Sequence, residues 1–169
     1  ASDGYKRQDD RRDRYIRLRN ELQVVLVSDP AADKAAASMD VSVGHSSDPP
    51  ELPGLAHFLE HMLFLGTAKY PDEAEYQSFL AMNGGGSNAY TAFENTNFHF
   101  DVVPGQLAGA LDRFSQFFLA PLFTEGATER ELKAIDSENA KNLQSDQWRM
   151  AQLTPVSYTH LRAHETDSY

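Results

Sequence analysis

The sequence predicts an α+β fold, with antiparallel hairpins of one mixed sheet packed against helices. Three observations carry this reading. Lys34 to Val43 and Thr96 to Val103 alternate apolar and polar residues with the period of a half-buried strand. Each has a β-rich neighbour one short turn away, which is hairpin spacing and not the long connection of a parallel crossover. Segments around Leu55–Leu63 and Leu107–Phe118 carry helical periodicity instead, so strands and helices mix without a βαβ repeat.

In chain order, residues 1–14 form a charged amino-terminal segment, and Asp3 to Arg19 lacks the apolar core of a secretory signal or membrane anchor. Because the first residue is Ala1, the amino terminus is expected to be processed or missing. Gln23–Ser28 and Lys34–Val43 read as an antiparallel pair across Asp29-Pro30. One face of the second strand is Ala35, Ala37, Met39, Val41 and Val43; the other is Ala36, Ser38, Asp40 and Ser42. A turn-rich connection from Gly44 to Pro53 leads to a helix in which Leu55, Phe58, Leu59, Met62 and Leu63 pack around two histidines, with Gly66 ending it. Pro71 suits the first position of the next helix, with Asp72 and Glu73 in its first turn and Asn83-Gly84 closing it. Gly84 to Gly86 is a flexible entry and not a phosphate loop, because no Lys-Ser/Thr pair follows. Ser87–Ala92 and Thr96–Val103 form a second hairpin. Leu107, Leu111, Phe114, Phe117 and Phe118 make a helical stripe that belongs to the core. A charged helix starts at Thr124 or Thr128, where Thr128 and Glu131 have capping-box form.

The 169 residues carry a formal charge of −10 and no cysteine. That length fits one domain with a modest core. The acidic balance argues against nucleic acid and anionic membrane as partners, and no apolar run approaches the ~20 residues of a membrane span. Without cysteine there is no disulfide framework, which fits a reducing, cytoplasmic setting.

The chemistry is concentrated in His57-Phe58-Leu59-Glu60-His61. Imidazoles one helical turn apart project from one face and can grip a single metal ion. Glu60 sits beside that face, where a carboxylate can take a proton from an attacking water. The plainer alternative is a helix with two ordinary surface histidines. A catalytic zinc site takes three protein ligands and leaves a position open, so a third donor is required. Arg130 to Glu138 offers candidates: Glu131, Ala134, Ile135 and Glu138 share one face, and carboxylates beside Ala and Ile call for a partner. A solvated charged helix is the competing reading of that segment. A structural zinc site is disfavoured by the absence of cysteine.

The stretch Leu55 to Thr67, followed by Lys69-Tyr70-Pro71, resembles the catalytic segment of the inverzincin metallopeptidases of the pitrilysin type. Ser87-Asn88-Ala89-Tyr90-Thr91, Ala110 to Phe114 and Asp136-Ser137-Glu138 continue that resemblance in the same order, from about Tyr15 to Thr154. Ser47-Asp48-Pro49 and Phe117-Phe118-x-x-Pro121-Leu122 favour the insulysin and nardilysin branch over the mitochondrial processing peptidases. The resemblance implies a zinc metalloendopeptidase acting on small to medium peptides. It implies one Zn2+ held by His57, His61 and Glu138, with Glu60 as the general base and Glu131 as a further carboxylate that orients a histidine or tunes the water. Asn88 and Ala89 match the strand edge that receives the peptide, and Tyr90 and Trp148 match aromatic positions near the cleft; packing is the other role open to Trp148. The family pattern is departed from at Phe93-Glu94 and at Asn20-Glu21, where a turn glycine is common. The implied parent has four similar domains around a chamber, with the present chain a truncated first domain and the full-length protein a homodimer. An inactive, chamber-forming relative is the alternative, but such relatives usually lack a ligand or the base.

Val156 to Thr166 resembles the in-frame translation of a sequencing-library adapter. Residues 155–169 are therefore expected to be a non-native scar, leaving 15–154 as a partial catalytic domain that stops in mid-helix. His160 and His164, also one helical turn apart, are expected to have no metal role.

Overall fold

A computed structural model of the chain describes residues 10–142, 144–146 and 150. Two antiparallel sheets and four α-helices are present among them. Strands β1 (Arg12–Arg17) and β2 (Gln23–Ser28) form a two-stranded ribbon, in register from Arg12↔Ser28 to Arg17↔Gln23. Strands β3 (Ala35–Val41), β4 (Gly86–Thr91) and β5 (Thr96–Val102) form a second sheet in the order β3-β5-β4, which leaves β4 on an edge. The helices are α1 (Leu55–Met62), α2 (Glu75–Met82), α3 (Leu107–Leu119) and α4 (Glu125–Asn142).

The expected pairing of Gln23–Ser28 with the following strand is not found. β3 pairs with β5, Ala37 opposite Phe100 and Met39 opposite Phe98, because its alternating face can be buried only beside the apolar face of β5. β2 is apolar without alternation and takes Arg12–Arg17 as its partner, a strand hidden in the sequence by its charges. The single mixed sheet is thus two sheets, both antiparallel among the described residues. The second hairpin forms as expected, closed by the pair Thr91↔Thr96. At the turn of the ribbon, Glu21 is the one described residue other than glycine with positive φ, at 70°. Its carboxylate is paired with Arg17, and the pair Asn20-Glu21 is where a turn glycine was expected from the resemblance.

Phe98, Phe100 and Val102 point from β5 into a core closed by Leu80 of α2 and by Ala110, Phe114 and Phe117 of α3. Edge-to-face contacts run through it, Phe100 to Phe114 at 5.2 Å and Tyr76 to Phe117 at 4.8 Å. The aromatic stripe of α3 is core, as expected, but Leu111 is exposed and Ala110 holds the buried place beside Phe114. α2 begins at Glu75 and not at Pro71; the Asp72 carboxylate instead accepts the amide of Ala74 in a turn that precedes the helix. Gly84 closes α2 with φ +66°. Thr124 caps α4, its Oγ1 accepting the Ala127 amide at 3.3 Å, while Thr128 lies inside the helix and donates back to the Thr124 carbonyl. The expected end of that helix near Thr154, Trp148, and the segment 155–169 with His160 and His164 lie outside the described residues.

The loop before α1 fixes the helix to the sheet. His45 donates its amide to the Ala92 carbonyl at 3.0 Å and Ser46 to that of Phe93 at 2.8 Å, so the turn between β4 and β5 is pinned to residues 45–46. Gly44 makes this approach possible: a Cβ there would lie 2.4 Å from the Ala92 oxygen and 2.6 Å from the Asn95 nitrogen. Gly44→Ala is expected to cost about 1–3 kcal/mol of stability by overpacking. Gly86→Ala, whose Cβ meets nothing within 4 Å, is expected to stay within about 0.5 kcal/mol. Urea unfolding of both variants in the full-length chain checks the pair; equal losses would refute the packing argument.

Candidate metal centre

α1 is anchored before it presents its histidines. The Asp48 carboxylate accepts the Gly54 amide at 2.7 Å and the Ala56 amide at 2.8 Å, satisfying donors that the helix start leaves open. The inner row of the helix is Ala56, Glu60 and Leu63, all buried, with Met62 beside them. Leu55 and Leu59, expected to pack around the histidines, lie on the outer side and are 43% and 44% exposed. At the far end the chain turns through Gly66, with φ +92°, and runs past the end of α3, where the Ala68 amide donates to the Ala120 carbonyl and Lys69 and Tyr70 both reach Asp112. Those bonds hold the Asp112 carboxyl below the usual carboxylate range, the Lys69 hydrogen bond first and the Tyr70 hydroxyl second.

His57 and His61 stand one turn apart with their Nε2 atoms 3.2 Å from each other and their rings nearly perpendicular, at 85°. Glu138 of α4 completes a triangle, its Oε2 lying 3.8 Å from His57 Nε2 and 3.7 Å from His61 Nε2. Donors bound to zinc at about 2.0–2.2 Å in tetrahedral geometry lie about 3.3–3.6 Å apart, so the edges of this triangle are close to those of a bound set. Two imidazoles and a carboxylate are also the donor chemistry of a catalytic zinc site, which keeps a fourth position open. The open side here is a cavity of about 690 Å³ lined by His57, Glu60, His61, Glu138 and the edge of β4. Among the described residues this is the one group of three or more metal-binding side chains.

Glu131 does not join the triangle. Its Oε2 lies 3.0 Å from His61 Nδ1, the ring nitrogen that faces away from the other donors. With Nδ1–H donating to Glu131, the Nε2 lone pair of His61 is left for a metal. Both carboxylates fall on the inner stripe of α4 with Ala127, Ile135 and Asn142, whereas Ala134, expected on that stripe, is exposed. Glu60 is buried beside the centre and accepts a 2.5 Å hydrogen bond from the Thr91 hydroxyl.

Asn88, Ala89 and Tyr90 line the same cavity. Along β4 the side chains alternate: Ser87, Ala89 and Thr91 turn toward the helices, while Asn88 and Tyr90 turn to the opposite, exposed face. The Tyr90 ring is therefore presented away from the histidines, and what β4 offers the cavity from this position is backbone. Sequence reasoning gave no role to Asp48 or Thr91, though both stood inside quoted motifs. The strand period would have put Thr91 on the helix-facing side; nothing local would have shown that Asp48 caps a helix beyond an intervening loop.

Residues 23–158 match the family described as insulinase (Peptidase family M16). The chain belongs to the insulinase family. It is 57% identical over 145 residues to the A-factor-processing enzyme of Saccharomyces cerevisiae, covering 86% of this chain and 14% of that protein. It is 58% identical over 146 residues to the insulin-degrading enzyme of Drosophila melanogaster, covering 86% of this chain and 15% of that one. The crystal structure of pitrilysin superposes with a TM-score of 0.82 at 40% identity, over 87% of this chain and 16% of that chain. The resemblance read from the motifs is thus an actual membership, and the α+β architecture is that of part of an insulinase-family domain. The chain spans about 15% of the length of such relatives. No described helix is long and apolar enough to cross a membrane.

Proposed function

We propose that this chain is the catalytic portion of a longer zinc metalloendopeptidase that hydrolyses small to medium peptides. The observation that carries the reading is the triangle of His57, His61 and Glu138 opening onto one cavity with the buried carboxylate of Glu60. His57, His61 and Glu138 are its zinc ligands. Zinc held there supplies Lewis acidity, polarising a carbonyl and making water a better nucleophile at neutral pH. Glu60 takes the proton of the attacking water and returns it to the leaving amine. Glu131 fixes the tautomer and orientation of His61 through the 3.0 Å contact. The open edge of β4 at Asn88 and Ala89 receives the peptide as an added strand, since on that side its amides and carbonyls have no sheet partner among the described residues. Trp148 is retained as an aromatic position near the cleft on the family resemblance alone.

The division into a charged lead 1–14, a partial catalytic domain 15–154 and a non-native tail 155–169 is likewise proposed, on composition and on the adapter-like sequence; the family match ends at 158. The remaining domains of the parent are its nearest partners. A cytoplasmic setting is proposed from the cysteine-free composition, although one relative, from Arabidopsis thaliana, is named as peroxisomal.

Glu138→Gln in the full-length chain is expected to weaken zinc retention about 10–100-fold or more, since losing a ligand should cost at least what losing its supporting partner does. Dialysis against a graded chelator with elemental analysis reads this, and unchanged metal content would remove Glu138 from the ligand set. Glu60→Gln is expected to keep zinc and lose about 10²–10⁴-fold in turnover of a quenched peptide. Retained turnover with zinc bound would assign the base elsewhere, while a wild-type chain that binds zinc without cleaving peptides would favour the inactive, chamber-forming alternative.

The chain expressed alone is expected to be no competent peptidase. Its ribbon leaves Val25 67% and Tyr15 60% exposed, and β4 keeps an edge that no described strand pairs, surfaces that invite association. Size-exclusion chromatography and the same peptide assay decide the matter. A soluble monomer turning over near ~1 per second, ordinary for enzymes, would show that the segment is self-sufficient.

A further inference from the structure

Glu60 differs from Glu131 and Glu138 in its burial: it is 8% exposed, whereas those two are only partly buried. A carboxylate so placed requires a donor. The donor is Thr91, whose Oγ1 lies 2.5 Å from Glu60 Oε2; among the described residues no other group hydrogen-bonds the Glu60 side chain. The direction of that bond follows from its partners, since a carboxylate accepts and the hydroxyl donates. Thr96 lies opposite Thr91 at the end of the hairpin, and its hydroxyl donates to the Val43 carbonyl at 2.8 Å, a group that can only accept. The Thr96 proton is thereby committed to Val43, and of the two oxygens within reach of the Thr91 hydroxyl the Glu60 carboxylate, at 2.5 Å against 3.4 Å for Thr96 Oγ1, takes the Thr91 proton.

The position of Thr91 is equally constrained. It closes the edge strand β4, next to a turn held by the amides of His45 and Ser46, and those residues lead directly to Asp48, which caps α1. Strand edge, turn, cap and helix form one hydrogen-bonded circuit with the Thr91–Glu60 contact as its closing link.

We propose that Thr91 is a positioning residue for Glu60: its hydroxyl holds one carboxylate oxygen, leaves the other for the proton of the attacking water, and ties the base to the strand edge that receives the peptide. This rests on the peptidase reading above. Thr91→Val keeps the shape and removes only the donor, so it separates aim from packing.

The test uses the full-length chain loaded with zinc. Thr91→Val should lower kcat about 10–100-fold, the range expected for losing one hydrogen bond to a charged group. KM should stay within about 2-fold and zinc content should not change, because the changed group binds neither peptide nor metal. Thr91→Ser, which restores the hydroxyl, should recover kcat to within about 3-fold of wild type, and in a Glu60→Gln background Thr91→Val should add less than about 2-fold because the group it aims is gone. A kcat for Thr91→Val within 2-fold of wild type, equal losses for Val and Ser, or full additivity with Glu60→Gln would each overturn the proposal. If Thr91→Val does not fold, Thr91→Ala is read by the same criteria. If zinc-loaded wild type cleaves no peptide, the peptidase reading fails on its own. The contact is then read by thermal unfolding, where Thr91→Val and Glu60→Gln must be coupled; additive shifts in Tm would overturn it independently of any activity.

Discussion

The eight-residue helix α1 has to satisfy two environments at once, and the rest of the centre depends on how it does so. One side, Ala56, Glu60 and Leu63, is pressed into the interior, while His57 and His61 must stay accessible to an ion. A helix this short has little intrinsic stability in water, so its position is set by what grips it. Asp48 grips the start, the bonds between residues 66–70 and the end of α3 grip the segment after it, Thr91 holds the flank through Glu60, and Glu131 holds the half-buried ring of His61. With every side fixed, the Nε2 atoms of the two imidazoles stand 3.2 Å apart. Such preorganisation is what a metal site needs if binding energy is not to be spent on ordering its ligands.

α4 shows the opposite side of that arrangement. Its inner stripe places Glu131 and Glu138 where a helix optimised for stability would place Leu or Ile. Like charges brought toward one small region repel, and partial burial raises the cost. His61 relieves one of them; Glu138 has two imidazoles within 3.8 Å and no closer partner among the described residues. The packing of α4 on α1 is thus shaped by chemistry more than by apolar contact, in contrast with the aromatic interior between β5 and α3.

What could be read from the sequence follows the range of the interactions. His57, Glu60 and His61 were legible because helical spacing is local and its geometry is nearly fixed. The hairpin of β4 and β5 and the aromatic stripe of α3 were legible for the same reason. Glu138 was one of several acidic candidates until family resemblance chose it, because nothing local says which carboxylate of α4 faces α1. The partner of Gln23–Ser28 was misjudged because strand pairing is decided by which other strand offers a complementary buried face, here β5 for β3. Arg12–Arg17 was hidden since its charges read as a solvated lead, although a ribbon open to water on both faces tolerates them. Tyr90 was expected near the cleft from family resemblance; it borders the cavity, yet the two-residue period turns its ring to the far side of the sheet.

His61 and Glu131 touch across 70 residues of chain, and this separation has a kinetic consequence. The hairpin of β4 and β5, with α2 and α3 next to it in sequence, closes through short loops and low contact order. α4 meets α1 across a long closing loop, so its docking is the costlier step in chain entropy. Until α4 docks, the protein offers two histidines and no third donor, a weak and exchangeable grip on an ion. Docking of α4 brings Glu131 to His61 and Glu138 to both imidazoles in one movement, so the three candidate donors assemble together. An ion held by those donors would escape when α4 lifts by local unfolding, and its residence time would measure how firmly that helix is seated.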